Sequence, residues 1–284
     1  MPDLSQHQSN ELTKMIVLGD PGTGKTGGCT SLVKGGYSLG VLDYDNGLEP
    51  LKQFLQHEHP EGLKHVNYRT LRDKRKATPT GAIVDGPALA FTEGLKMLDR
   101  WQFKERDGTL VDLGPPSEWG PDHILVLDSL TLCARAAYDW REQLTPRGKS
   151  GQYDPRAVFF DAQKAIEQLI SNLTSESFRT NVIVITHVNY IDNEDGSRKG
   201  YPNVIGKALS PVIGAYFNSI ALCSVRPGGK RVVQTASTAM IDLKNPAPFA
   251  MLPEYPISTG LADFFKVLRA SPETKIARIG HRRV

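Results

Sequence analysis

Eight consecutive residues, Gly19-Asp20-Pro21-Gly22-Thr23-Gly24-Lys25-Thr26, satisfy the spacing G-x-x-x-x-G-K-[ST] without a mismatch. The residue types at those positions suit one kind of chemistry. Glycines let main-chain N–H groups turn inward around phosphate oxygens. A helix starting just after the loop adds the positive end of its dipole. Lys25 supplies a mobile point charge for β and γ phosphates, and Thr26 a hydroxyl for Mg²⁺. Asp20, Pro21, Gly22, Thr23, Gly24, Lys25, Thr26 and Gly27 are therefore the expected nucleotide-contacting residues. A glycine-rich turn with a chance Lys-Thr is the alternative. The context favours the phosphate loop: the apolar run Met15–Leu18 precedes it and the helix-capable stretch Cys29–Lys34 follows.

A triphosphate site of this kind needs a second oxygen ligand for its Mg²⁺, direct or through water. Asp128 closes the apolar run Ile124-Leu125-Val126-Leu127, and an acid at the C-terminal end of a buried parallel strand lies where open α/β sheets bind ligands. Thr26 and Asp128 form the expected metal pair. The competing role for Asp128 is capping the next helix, which Ser129 could do as well. After another apolar run, Ser38–Leu42, come Asp43-Tyr44-Asp45-Asn46-Gly47. Two acids beside a phosphate site repel each other unless a cation or proton separates them. One of them could polarise an attacking water, or the pair could simply be a solvated turn.

Together these segments resemble the RecA-like ATPases, and most nearly the phage-encoded members that include Sak-type single-strand annealing proteins. The resemblance covers residues 15–71 and 120–268 in outline. It implies ATP and Mg²⁺ as ligands, with Asp45 as the acid that orients water. It implies His187, at the end of Thr180–Thr186, as the polar group that senses the γ-phosphate; a core histidine is the alternative. It implies two DNA-facing loops, Ala136–Pro155 with Arg141, Arg147 and Lys149, and Asp192–Asn203 with Arg198, Lys199 and Tyr201. Cations beside an aromatic suit single-stranded DNA, whereas Asp192, Glu194 and Asp195 leave a solvated mixed-charge loop open. It implies a basic residue that reaches a neighbouring subunit's nucleotide: Lys244, with Arg226, Lys230 and Arg231 as alternatives. The catalytic set is then Lys25, Asp45, Asp128, His187 and Lys244, in an ATPase that assembles into a ring or filament and serves phage-type recombination, annealing or replication. A hexameric helicase core and a nucleotide-gated regulator with no DNA role are the rival readings. A nucleotide kinase is disfavoured because no arginine-rich lid is evident.

The elements that must position these residues follow from periodicity. Short apolar runs at 15–18, 38–42, 123–127 and 182–185, with a weaker one at 65–71, read as strands. Ala88–Phe103, Val158–Leu173 and Leu261–Leu268 carry apolar residues at helical spacing. Ser219–Val225, Arg231–Gln234 and Met240–Leu243 read as late antiparallel strands, and Asp107-Gly108 as a hairpin turn. The expected fold class is α/β: by resemblance a three-layer RecA-like core, with a mainly parallel sheet and a few late antiparallel strands. It would span 14–270, between a flexible tail at 1–13 and a basic tail at 271–284; residues 72–119 have no counterpart in the resemblance. Basic stretches at Lys64–Lys76 and Lys275–Val284 could hold nucleic-acid phosphates or be plain surface.

Composition narrows the class. The 284 residues are 39% hydrophobic and 23% charged, with a net charge of +3, which is globular and too mildly basic to argue for nucleic acid alone. The apolar runs are far shorter than the ~20 residues a membrane span needs, so no membrane partner is expected. The first residues show neither a basic nor an apolar signal-peptide region. Three widely spaced cysteines, Cys29, Cys133 and Cys223, without a CxxC, argue against a zinc ribbon or disulfide framework. They suit a reducing cytoplasm.

Overall fold

Strict alternation along β1 (Lys14–Leu18) sends its side chains to two different cores: Met15 and Val17 join one cluster, Ile16 and Leu18 the other. That is the signature of a strand buried on both faces, and it holds across the centre of the molecule. A computed structural model describes residues 12–105, 107–147, 153–192, 194–206 and 208–270; the N-terminal residues through 11 and the basic tail from 271 lie outside it.

After β1 and the phosphate loop come two short helices, α1 (Lys25–Gly28) and α2 (Thr30–Lys34), then β2 (Ser38–Asp43), α3 (Glu49–Glu58) and β3 (Val66–Thr70). The stretch without a counterpart in the resemblance forms the hairpin β4 (Arg75–Thr78) and β5 (Gly81–Val84), the helix α4 (Ala90–Asp99), and a second hairpin, β6 (Gln102–Lys104) and β7 (Leu110–Asp112), around the anticipated Asp107-Gly108 turn. It is integral to the packing: Phe91, Met97, Leu98 and Trp101 join the core. Then follow β8 (Gly120–Asp128), α5 (Leu130–Leu144), α6 (Pro155–Thr174), β9 (Thr180–Thr186), the hairpin β10 (Val188–Asp192) and β11 (Arg198–Pro202), β12 (Ser219–Val225), β13 (Arg231–Gln234), β14 (Glu254–Pro256) and α7 (Ile257–Arg269).

The main sheet has eight strands in the order β14-β13-β12-β1-β9-β8-β2-β3. The run from β12 to β3 is parallel throughout, and β13 and β14 add antiparallel strands at one edge. Helices α4, α5 and α6 cover one face through residues such as Phe91, Leu130, Ile166 and Ile170. Helices α2, α3 and α7 cover the other through Leu32, Leu51, Phe264 and Phe265. Each such side chain, fully buried, contributes about 1.5–3 kcal/mol of transfer free energy. This is the three-layer α/β core, mainly parallel with late antiparallel strands, that the sequence leads one to expect. No helix among the described residues is long and apolar enough to cross a membrane.

Three local expectations are corrected. Met240–Leu243 is not a strand. Residues 222–225 of β12 already pair with β13, leaving room only for a single bridge between Ile220 and Lys244, and the Thr238 hydroxyl accepts from the N–H groups of Met240 and Ile241 to hold a turn instead. Ala136–Pro155 is not one long loop, because α5 continues to Leu144: Leu130, Cys133, Ala134 and Ala137 keep a helical stripe on the core, and no breaker occurs before Thr145-Pro146. Asp192–Asn203 is largely the β10–β11 hairpin, turned at Gly196 (φ 79°) with Asp195 Oδ1 accepting from Ser197 N–H.

Candidate active site

Parallel strands point their C-terminal ends the same way, so the segments leaving β1, β2, β8 and β9 meet at one edge of the sheet. The phosphate loop leaves β1 there. Gly22 and Gly24 adopt φ of 81° and 92°, left-handed values that cost a side-chain-bearing residue and little for glycine. A Cβ on Gly19 would stand 2.7 Å from the Cys223 carbonyl oxygen, so the loop's first glycine lets it leave the sheet between close neighbours. Lys25 is buried, and its ammonium donates to Gly19 O at 2.7 Å and Asp20 O at 2.9 Å. Burial lowers its pKa, while the carboxylates of Asp128, Asp20 and Asp45 partly offset this.

The Thr26 hydroxyl donates to Asp128 Oδ2 at 2.6 Å. Asp128 is 2% exposed; burial pushes its pKa up to about 7, with nearby Asp45 and Asp43 adding to the rise and the Thr26 bond and Lys25 opposing it. Helix capping falls to Ser129, whose Oγ accepts from Leu132 N–H at 3.4 Å. The Thr26–Asp128 pair is a hydroxyl and a carboxylate with no nitrogen or sulfur between them, a donor set that suits a hard cation such as Mg²⁺ completed by phosphate oxygens and water. Among the described residues no cluster of three or more His, Cys, Asp or Glu offers a self-sufficient metal cage.

Asp43 and Asp45 divide their tasks. Asp43, last in β2 and opposite Asp128 in register, accepts from Gly47 N–H at 3.1 Å and the Thr70 hydroxyl at 3.0 Å. It secures the turn that presents Asp45. Asp45 Oδ1 accepts from Ser129 N–H at 3.1 Å and Ser129 Oγ at 2.7 Å, and Arg72 donates to the Asp45 carbonyl at 3.0 Å. Asp45 Oδ2 is left facing His187 Nε2 at 3.8 Å, too long for a hydrogen bond.

His187 follows β9 directly. Its N–H donates to Thr131 Oγ1 at 3.2 Å, and its carbonyl accepts from Asn203 N–H at 2.9 Å. The Thr131 and Thr186 hydroxyls both donate to the Asn203 carbonyl, at 3.0 and 3.1 Å. The base of the β10–β11 hairpin is thus tied to the residue that faces Asp45. At the outer end of the hairpin, Arg198 pairs with Asp192 at 3.5 Å and stacks over Tyr190 at 5.0 Å, and Lys199 pairs with Asp242 at 3.2 Å.

These groups surround one cavity of about 580 Å³, lined by the loop glycines, Lys25, Thr26, Asp45, Asp128 and His187, within the range typical of small-molecule sites. Several of its walls escaped the sequence reading. Pro50, Phe54 and Glu58 line it at i, i+4 and i+8 along α3, opposite Ile257 at the start of α7. A Cβ on Gly27 would stand 2.9 Å from the Phe54 ring, and one on Gly28 3.0 Å from Ile257 Cδ1. Two glycines therefore form a floor between an aromatic and an aliphatic wall. Thr30 also lines the cavity, with a buried hydroxyl that has no hydrogen-bond partner among the described residues. A usable signal existed for Phe54: Leu51 and Leu55 form the buried stripe of α3, and Phe54 lies off it, 46% exposed.

Lys244 stands apart from this cluster. Its ammonium donates to Phe217 O at 2.8 Å and Ala215 O at 3.5 Å, ahead of β12 and at the end of the sheet opposite the phosphate loop. Within one chain the structure does not bring it to the cavity. Arg147 is exposed beyond α5, and Lys149 lies outside the described residues.

No protein-family model matches the sequence, and no curated protein is similar to it. Among solved structures the chain is similar to the RadB recombinase, at 17% identity over 78% of this chain and 79% of that one, with a TM-score of 0.40. It is similar to a prototypical ATPase from the type III secretion system of pathogenic bacteria at 15% identity over 75% of this chain and 52% of that one, with a TM-score of 0.36. At such scores neither likeness bears on what the chain does; the sheet order and the geometry of the cavity do.

Proposed function

We propose that the chain is a Mg²⁺-dependent ATPase of the RecA-like kind that acts on single-stranded DNA in phage-type recombination, annealing or replication, assembled as a ring or filament. The observation that carries the ATPase reading is the convergence of Lys25 and the Thr26–Asp128 oxygen pair, 102 residues apart in sequence, in one cavity at the C-terminal edge of a parallel sheet. The loop amides and Lys25 hold the phosphates. Thr26 and Asp128 would hold Mg²⁺, which when bound spreads the charge of the outer phosphates. The glycine floor between Phe54 and Ile257 takes the base.

Asp45 is built to orient water. Ser129 fixes one carboxylate oxygen with two donors, so the other stays aimed at the gap in front of His187. A water there attacks the γ-phosphorus while Asp45 Oδ2 takes its proton; the bond from the γ-phosphorus to the β–γ bridging oxygen breaks, and ADP and phosphate leave. His187 donates to a γ-phosphate oxygen and relays its presence through Thr131 and Asn203 to the β10–β11 hairpin. Arg198 stacked on Tyr190 favours a single-stranded nucleic-acid contact at that hairpin.

The test is ATP turnover titrated with single-stranded DNA at two salt concentrations. Stimulation that weakens steeply with salt supports the DNA role, because phosphate contacts release counterions. Turnover unaffected by DNA at either salt removes that role and leaves the regulator. Lys25→Ala must abolish hydrolysis, and a variant as active as the parent sinks the ATPase reading. Asp45→Asn should lower kcat by about 100-fold or more while nucleotide still binds.

A further inference from the structure

Of the described residues lining the cavity, Lys25 and Arg231 alone carry a fixed positive charge, against the carboxylates of Asp45, Glu58 and Asp128. A bound triphosphate adds several more negative charges, which a second cationic side chain would help Mg²⁺ and Lys25 to offset, and the sequence alone suggests four sources. Arg226 is paired with Glu254 at 2.7 Å. Lys244 is committed to carbonyls at the far end of the sheet. Lys230 sits outside the cavity lining. Arg231 opens β13 opposite Val225, where the antiparallel edge begins beside the phosphate loop. Its Nε donates to Gly22 O at 2.9 Å, and its Cδ lies 2.9 Å from where a Cβ on Gly24 would stand. The side chain is thus laid along the loop from Gly22 to Gly24, beside Ile257, and Gly24 makes room for it. Among the described residues the bond to Gly22 O is the side chain's one hydrogen bond, and Arg231 is one of the residues that line the cavity.

We infer that Arg231 grips the outer phosphates of the nucleotide bound by its own chain, so the second cation of the site acts in cis and not from a neighbouring subunit. This rests on the nucleotide-binding reading above and adds to it the residue and the chain that neutralise the phosphates. The Nε bond to the loop pre-orients the guanidinium, whose planar fork suits bidentate contact with phosphate oxygens.

The experiment measures ATP, ADP and AMP binding by Arg231→Ala, Arg231→Lys and Lys25→Ala beside the parent, at fixed Mg²⁺, with circular dichroism melts to establish folding. Arg231→Ala should weaken ATP by about tenfold or more, as expected for loss of a charge-assisted contact, and AMP by less than about twofold; Arg231→Lys should recover part of the ATP affinity. A folded Arg231→Ala that binds ATP as the parent does overturns the inference. If Lys25→Ala also binds ATP as the parent does, the nucleotide-binding reading itself falls. Mixing Arg231→Ala with Lys25→Ala then separates the two arrangements. At ATP below saturation, a cation acting in cis leaves turnover in every mixture no higher than the two variants give separately, since no chain carries both residues. Recovery of turnover in the mixture places the cation in trans and overturns the inference.

Discussion

The Thr26 hydroxyl and the Asp128 carboxylate are 102 residues apart in sequence and 2.6 Å apart in space. The bond exists because β1 and β8, separated by β9, end at the same edge of the sheet. It also places an acid where ionisation is costly. Burial holds the Asp128 carboxyl pKa up at about 7, so above that pH the folded chain carries a penalised charge that a cation would relieve.

Asp128→Asn keeps the shape and removes the charge. Hydrolysis should fall by about 100-fold or more, as for loss of a preorganised electrostatic group. Without nucleotide at pH 8 the variant should be at least as stable as the parent, measured by the urea midpoint. A clearly less stable variant would mean that the carboxylate supports the fold and does not wait for a ligand.

Phe54 is a large aromatic left half in solvent over the glycine floor. Phe54→Ala should raise KM for ATP by about tenfold, since stacking on a base contributes about 1–3 kcal/mol, with kcat nearly unchanged because the contact is uniform between ground and transition states. Phe54→Tyr should behave like the parent. A change confined to kcat would assign the ring a different task.

Lys14 predicts the pH dependence of stability. Its ammonium donates to Phe178 O at 2.5 Å and Thr180 O at 2.7 Å, yet burial pushes its pKa down to about 7. The unfolded chain binds that proton up to the ordinary lysine value. Between roughly pH 7 and 10 the unfolded state therefore holds more protons, and stability rises with pH by up to about 1.4 kcal/mol per unit. Urea unfolding at pH 7 and pH 9 measures the slope, and Lys14→Met should flatten it. Equal slopes in the two proteins would refute the assignment.

Gly40 lies inside β2, where a Cβ would meet the Trp119 ring at 2.5 Å. Trp119 in turn packs edge-on against Trp101, with centroids 5.3 Å apart. Gly40→Ala should destabilise the fold by about 1–3 kcal/mol through overpacking, read as a lower Tm. Gly36→Ala makes no such contact but carries a φ of 91°, so its cost is purely that of the backbone, and the pair separates packing from strain.

Local chemistry in the sequence was enough to single out the Gly19–Thr26 loop, Asp128 and Asp45, which the structure brings to one cavity, because each is a residue type at a set offset from an apolar run. Periodicity likewise located β1, β2, β8, β9, α4, α6 and α7, but not α5, most of whose second half reads as a loop. It erred where regular structure has several partners to choose among: Met240–Leu243 has strand-like residues, but β12's flank was already taken. Asp195-Gly196 is legible as a hairpin turn from its residue types alone. Other features are absent from any linear reading. That Ser129 holds Asp45, that Phe54 faces Ile257 across two glycines, and that Arg231 and not Lys244 reaches the loop all depend on strand order. Register and crossover bring residues from opposite ends of the chain within a bond length, and no offset along the sequence encodes that distance.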